Sequence, residues 1–436
     1  MKTRITLIAL AAALLAGGSL PVHAQSAADF EALKAELQKL RQEVEALKRE
    51  RAAAPAPAPA APAATPALAE RVEQVELRQK DAVVAGDTPG SFRLPGSDTS
   101  VRIYGHAEAH LVSDLRKPGP NDVFTDLMSQ PLDKDGSVAK RQTRLTASTS
   151  RLGFETSTPT AEGAFTTKLE TDFYSYGPGN RNRLRLRHAY GEYAGWLIGQ
   201  TWSTFMDLDN LPETVDFNGP IGSPFSRRMM VRYTYADPKA GYKVAVALED
   251  PESGARLPNL VARYDRSFDW GAVNLRLLGH EKRVGAEARR GSGIGLGASY
   301  KLTPDDLLMA QWARVNGDYD MMYGSTGYAV NAGGQVLFDK NDGLVVGWAH
   351  AFSPKLRSNL VFGMNRSRAD AAFVAESAGW FGTAQARWLK QLHAGIVYVP
   401  VKNLELGAEY IHGIRTLFNG DKGTMSRFDL MARYSF

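Results

Sequence analysis

The chain has 436 residues, 44% hydrophobic and 23% charged, with 41 glycines and no cysteine, a composition open to two or three soluble domains or one large barrel. The missing cysteine excludes thiolate catalysis, zinc–sulfur centres and a disulfide framework, and a net charge of +5 is too small to argue for nucleic acid. After the first twenty-odd residues no apolar run approaches the roughly 20 residues a membrane helix needs.

Residues 1–24 read as a secretory leader. Lys2 and Arg4 form its charged start, 5–16 its apolar core, and Val22, His23 and Ala24 its small-x-small cleavage site. The predicted mature protein therefore lies outside the cytoplasm. Over 25–51, Phe30, Leu33, Leu37, Leu40, Val44 and Leu47 alternate spacings of three and four, the seam of a coiled coil. A helix this short is marginal alone in water, so the seam predicts self-association. Residues 52–67 are nearly pure Ala-Pro, an extended and semi-rigid spacer. The stretch 68–99 holds a brief helix, with a weaker seam through Leu68, Val72 and Val75, and a lead-in.

From Ser100 to the end the hydrophobic period becomes two. Between Val101 and Leu111 one face is apolar or small, and the other carries Arg102, His106, Glu108 and His110. Phe165, Thr167, Leu169, Thr171 and Phe173 alternate with Lys168, Glu170 and Asp172. Ile294, Leu296, Ala298 and Tyr300 alternate with Gly295, Gly297, Ser299 and Lys301. A soluble sandwich would also alternate, but here the second face keeps collecting charges and glycines. About sixteen such segments, a number typical of porin barrels, begin near Ser100, Arg144, Gly163, Arg183, Trp196, Arg227, Tyr242, Leu257, Gly271, Ser292, Asp305, Asp342, Leu356, Gln385, Lys402 and Thr424. Their connections alternate: 117–143, 206–226, 317–341 and 370–384 are long, whereas 159–162, 237–241, 268–271, 302–305, 352–355 and 399–403 are tight. Sorting of this kind marks an outer-membrane barrel. Phe428, Leu430, Ala432, Tyr434 and Phe436 share the lipid face of its last strand. The predicted fold is all-β, a sixteen-stranded antiparallel transmembrane barrel over 100–436 with a helical coiled-coil extension projecting into the periplasm.

No Gly-x-Ser-x-Gly, His-Glu-x-x-His or phosphate-loop motif occurs, and no cofactor is predicted. His106 and His110 share a strand face but stand too far apart along it to pair on a metal. Arginine spacing carries the chemistry. Arg181, Arg183, Arg185 and Arg187 occupy every second position, with Leu184 and Leu186 between them. Leucine belongs in lipid, because a cation there costs about 2–4 kcal/mol at the midplane, so the guanidiniums face the lumen. Arg181 alone also fits an exposed rim. Arg228 and Arg232 share a polar face opposite Val231, Tyr233 and Tyr235, and the same parity turns Arg151, Arg263, Arg276 and Lys282 inward. In the second strand Thr146, Ser148 and Ser150 would share the face of Leu152, which a bulge or a subunit contact would explain. The loop 206–226 carries Asp207, Asp209, Glu213 and Asp216 together with Pro212, Gly219, Pro220 and Pro224. Folded inward, such a stiff acidic loop would narrow the pore opposite the arginines, and arginine rings select anions.

Three stretches carry a family resemblance. They are Pro89-Gly90-Ser91-Phe92-Arg93-Leu94-Pro95-Gly96, Gly199-Gln200-Thr201-Trp202-Ser203-Thr204-Phe205-Met206-Asp207, and Pro212-Glu213-Thr214-Val215-Asp216-Phe217-Asn218-Gly219-Pro220. Together they resemble the DcaP-like trimeric outer-membrane porins, over essentially the whole mature chain. The resemblance implies a homotrimer with a periplasmic coiled coil, and diffusion of small anions such as dicarboxylates. It also implies that the stretch from Gln200 to Asp207 enters a third-loop constriction. The Ala-Pro-rich linker departs from the family pattern. The rival expectations are an envelope anchor, whose barrel is closed and whose coiled coil binds a partner, and an outer-membrane hydrolase.

Overall fold

The computed structural model describes residues 84–119, 124–174, 181–251, 254–381 and 384–436, together with the helical Gln42 and Glu45. The leader, the heptad positions Phe30, Leu33, Leu37, Leu40, Val44 and Leu47, the linker and the helix expected over 68–79 lie outside the described residues. The chain divides into two units, Met1–Gln79 and Lys80–Phe436, and the second is the barrel.

Its strands form one antiparallel sheet. The lead-in strands β1 (Val84–Ala85) and β2 (Phe92–Arg93) pair onto β3 (Ser100–Asp114), whose other edge takes β4 (Gln142–Thr146) and β5 (Arg151–Thr160) in succession. There follow β6 (Gly163–Tyr174), β7 (Arg181–Tyr193), β8 (Trp196–Trp202), β9 (Arg227–Asp237), β10 (Tyr242–Glu249), β11 (Asn259–Phe268), β12 (Gly271–Val284), β13 (Glu287–Lys301) and β14 (Asp306–Asn316). A separate hairpin, β15 (Tyr328–Val330) and β16 (Val336–Phe338), sits within the next long loop. The sheet resumes with β17 (Lys340–Ser353) and β18 (Leu356–Ser367), is interrupted by helix α1 (Ala371–Phe381), and ends with β19 (Ala386–Tyr398), β20 (Leu404–Leu417) and β21 (Lys422–Ser435). β21 pairs back onto β3, from Arg427 opposite Asp114 to Ser435 opposite His106. With β4 and β5 acting as one strand, the result is a closed barrel of 16 strands. Closure leaves no sheet edge in lipid, the condition for a sheet to cross a bilayer.

The irregular parity of the second strand comes from a break. Leu145 and Phe154 both face outward, and 147–150 form a turn closed by Ser150 N donating to Ala147 O at 3.1 Å. Ser148 and Thr149 are buried in it. β13 begins at Glu287, earlier than the Ser292 expected from alternation. Its charged first residues, Glu287, Arg289 and Arg290, show no apolar face but pair with the end of β12. The tight turns are conformationally specific: Ala194 (φ 48°) and Gly195 (φ 84°) supply the two positive angles of a primed hairpin turn joining β7 to β8. At this end an outward aromatic belt runs from strand to strand, with Trp196–Tyr233, Tyr235–Tyr242, Tyr242–Tyr264 and Phe268–Trp270 centroids 4.9, 6.1, 6.3 and 4.8 Å apart. Amphipathic rings of this kind sit at a membrane interface.

The lumen is partly filled. One apolar core packs Phe205, Met321 and Met322 from inward loops against Ala247, Val261, Leu278, Ala313 and Val315 of the wall. A second gathers Leu127, Ile221, Leu389, Ile411 and Met425. Both are apolar cores inside the barrel, and a cavity remains along the wall that includes β3, β5, β7 and β9.

Candidate functional site

The connection between β8 and β9 runs across the barrel interior, docked by polar contacts at each step. At its neck Ser203 N donates to Ser226 O at 2.9 Å, while Ser203 Oγ and Thr204 N donate to the Glu249 carboxylate at 2.7 Å each. Asp207, fully buried, accepts from Asn274 Nδ2 at 2.8 Å and Asn210 Nδ2 at 3.0 Å, with Arg263 and Arg276 each 3.6 Å away. The same two arginines donate to the loop carbonyls of Met206 (2.6 Å) and Phe205 (2.9 Å). Glu213 takes Arg357 through two bonds of 2.7 and 2.6 Å. Val215 N and Asp216 N donate to Glu409 at 3.2 and 3.0 Å, and Asp216 accepts from Thr125 N at 2.7 Å. Ile221 N donates to Gln391 Oε1 at 3.1 Å. The loop thus touches β10–β12 and β18–β20 in turn.

Glycines on the inner face make room for it. A Cβ at Gly297 would collide with Asp207 Oδ2, and one at Gly363 with the Ile221 carbonyl. The repeated glycine positions on the second face of the strands are the floor on which the loop lies.

Opposite the loop stands the arginine wall. A cavity of about 280 Å³ lies between loop residues 213–219 and Arg151, Arg185, Arg187, Arg227 and Arg433. Arg185 donates to both oxygens of Asp172, at 3.0 and 2.6 Å. Arg187 bridges Glu170 (2.7 Å) and Asp172 (2.9 Å), and Arg151 lies 3.4 Å from Glu170. Arg433 bonds Glu108. Arg227 has no ion pair among the described residues; its guanidinium lies over the Trp202 ring, 3.6 Å from the centroid. Around Glu170 and Asp172 stand the four guanidiniums of Arg151, Arg185, Arg187 and Arg227, an excess of two positive charges over that carboxylate pair. A register shift between β6 and β7 adds one residue at Arg187, so Arg187 and His188 are both buried inside.

The remaining candidate residues fall in different settings. Arg183 is exposed, near the pairing irregularity at the start of β7. Arg232 lines a lower cavity of about 360 Å³ with Lys243, Arg263 and Asp209. Asp209 is the exposed acid of the loop and pairs with Arg263 at 2.9 Å. Arg228 and Lys282 are buried against Asp318 and Asp320 of the loop after β14, at 2.9 Å for Arg228–Asp320 and 3.2 Å for Lys282–Asp318. Arg276 is likewise enclosed beneath the inward loop. Arg227 and Arg433 complete the cavity and were absent from the sequence-derived set. Arg433 was reachable by parity, since Phe428, Leu430 and Tyr434 fix the outward face of β21. Arg227 was not, because the parity of its strand selects Arg228. His106 Nε2 lies 3.2 Å from Thr149 O, and His110 is held between Glu108 (2.9 Å) and Asp429 (2.8 Å). Among the described residues no cluster of acid and histidine side chains could hold a metal.

The comparisons with known proteins agree with this architecture. The family profile described as DcaP outer membrane protein matches residues 73–436. Among solved structures, the outer membrane channel DcaP of Acinetobacter baumannii is similar at 29% identity, with 81% of this chain and 100% of that one aligned and a TM-score of 0.70. The trimer form of OmpT from Vibrio cholerae aligns at 15% identity over 78% and 99% of the two chains, TM-score 0.53. The anion-selective porin of Comamonas acidovorans aligns at 12% identity over 78% and 100%, TM-score 0.54. The last two likenesses concern the fold alone. No curated protein matches the sequence.

Proposed function

Because the chain belongs to the DcaP outer membrane protein family, we propose that it passes small anionic solutes, dicarboxylates among them, by passive diffusion along its arginine wall. The observation that carries this reading is the segregation of charge across the passage. Asp207 and Glu213 are turned into the barrel wall and Asp216 toward the backbone N–H of Thr125, and all three are occupied there, whereas the wall opposite keeps its excess of guanidinium. A dianion entering the cavity exchanges water for donors already in place, and a fork of N–H groups suits a carboxylate. The chain is also proposed to assemble as a homotrimer with its heptad segment in the periplasm. The outward faces of β3, β5 and β6 support a protein contact there, since the small Ala107, Ala109, Thr156 and Thr167 stand among the larger Ile103, Leu111, Phe154 and Leu169.

The test is the reversal potential in a salt gradient across a planar bilayer. An ion about 6 Å from a guanidinium in a water-like medium senses about 0.7 kcal/mol before screening, so each arginine is worth about two- to threefold in anion preference at moderate salt. The unmodified protein is expected to prefer chloride over potassium. Replacing Arg185 and Arg187 by Ala removes the whole excess and is expected to bring the ratio close to one. A closed barrel, or an unchanged reversal potential in the double variant, would overturn the reading.

A further inference from the structure

The outer surface of the barrel carries a second arginine-rich feature, unconnected with the passage. On β14, β17, β18 and β19 the residues Arg314, Asp342, Arg366 and Trp388 lie in one row, each opposite the next in the sheet register. All point away from the lumen. Arg314 stands between the buried Ala313 and Val315, Arg366 between the buried Asn365 and Ser367, and Lys390, just below Trp388, between the buried Leu389 and Gln391. The Trp388 ring is flanked by two cations, the Arg366 guanidinium 4.9 Å and the Lys390 ammonium 5.0 Å from its centroid. Asp342 is the acid of this row, bonded to Arg314 Nε at 2.6 Å and Arg368 Nη1 at 3.0 Å. Arg366 and Lys390 have no ion pair among the described residues.

Height decides what the row meets. The outward side chains of β19 run Tyr398, Ile396, Ala394, Leu392, Lys390 and Trp388, from the tight-turn end toward the long loops. Steps of ~3.3 Å on a strand tilted ~40°, about eight to Lys390 and about ten to Trp388, place them about 20 Å and about 25 Å above Tyr398. The apolar band of such barrels is about 25 Å tall. The cations therefore stand at its upper edge, where lipid phosphates lie and where a charge on the lipid face costs little. This placement rests on the outer-membrane reading, in which the long loops face outward.

We propose that Arg314, Arg366 and Lys390, braced by Trp388, form a seat for the phosphate groups of a phosphorylated glycolipid in the outer leaflet. Charge complementarity selects the occupant: several cations close to one acid, on a lipid-facing wall, at headgroup depth. Arg314 and Arg366 offer planar forks to phosphate oxygens and Lys390 a point charge below them. Asp342 holds Arg314 and Arg368 extended without neutralising the row.

The test is native mass spectrometry of the full-length protein, purified in detergent and exposed to diphosphoryl lipid A or to the same lipid with both phosphates removed. Retention of the diphosphoryl form over the dephosphorylated form is expected. The Arg314→Gln/Arg366→Gln/Lys390→Gln variant should lose about a hundredfold in that retention, about fivefold per cation at a membrane surface compounding over three. Its heat-modifiable mobility on electrophoresis and its single-channel conductance should stay those of the unmodified protein. Equal retention of the two lipids, or undiminished retention by the variant, would overturn the seat. Displacement by millimolar inorganic phosphate would overturn it too, by assigning the row to a soluble anion. A barrel that binds the lipid yet conducts nothing would sink the porin reading and leave the seat standing.

Discussion

Arg227 lies over Trp202 with no ion pair among the described residues, whereas Arg276 is fully buried against Phe205 O, Leu296 O and the Asp207 carboxylate. The two guanidiniums therefore answer differently to the same change. Arg227→Gln is expected to lower the anion-to-cation permeability ratio about two- to threefold and to leave thermal unfolding unchanged, as reversal potentials and heat-modifiable mobility would record. Arg276→Gln leaves Asp207 buried with its charge less well matched, and breaking such a pair costs about 3–5 kcal/mol. It is expected to loosen the loop, read as larger and noisier single-channel currents and faster proteolysis within 203–226. Parity placed Arg276 on the inner face but could not distinguish these fates. Which arginine is covered depends on a loop that returns from β8, and that contact is remote in sequence.

At the scale of elements, the inward loop is held by charged and polar contacts as well as by the apolar packing of Phe205 and Ile221. Burial tends to raise the pKa of Glu213, but the hydrogen bonds and charge of Arg357 outweigh it and hold the carboxyl below its usual range. A depressed carboxylate contributes stability that is complete above its unfolded value and is lost as pH falls through the folded one. Asp216 has the opposite sign: burial raises its pKa, so acidification relieves its charge rather than breaking a pair. The Glu213–Arg357 latch is therefore expected to open only below about pH 4, as a reversible rise in current noise. Glu213→Gln should show that noise already at neutral pH, with no further acid step. A Glu213→Gln variant as quiet at neutral pH as the unmodified protein would count against the latch. The prolines, glycines and acids of this loop were visible in the sequence, as was its length. Its path was not, because the partners Asn274, Arg357, Gln391 and Glu409 come from four separate strands.

At the scale of the whole molecule, closure of β21 on β3 carries the fold. A chain lacking residues 422–436 would leave β3 and β20 with unpaired groups in hydrocarbon, each costing several kcal/mol, and is expected to give neither a heat-modifiable band nor conductance. A chain beginning at Lys80 keeps every barrel pairing and is expected to give both. The sequence by itself determined the barrel: a period of two, lipid-facing leucines and aromatics, and sorted loop lengths are local properties, readable one segment at a time, and they placed most strand starts within two or three residues of those observed. It also determined which face of β7 is basic, because a cation on the lipid side beside Leu184 and Leu186 would cost about 2–4 kcal/mol at the midplane. Tertiary structure alone decided where that basic face meets water. Docked loops cover Arg228, Arg276 and Lys282 and leave Arg185, Arg187 and Arg227 at the cavity, and a single bulged residue turned both Arg187 and His188 inward. Alternation fixes the side of the sheet, but solvent access depends on what packs over that side, and that is settled by contacts between residues far apart along the chain.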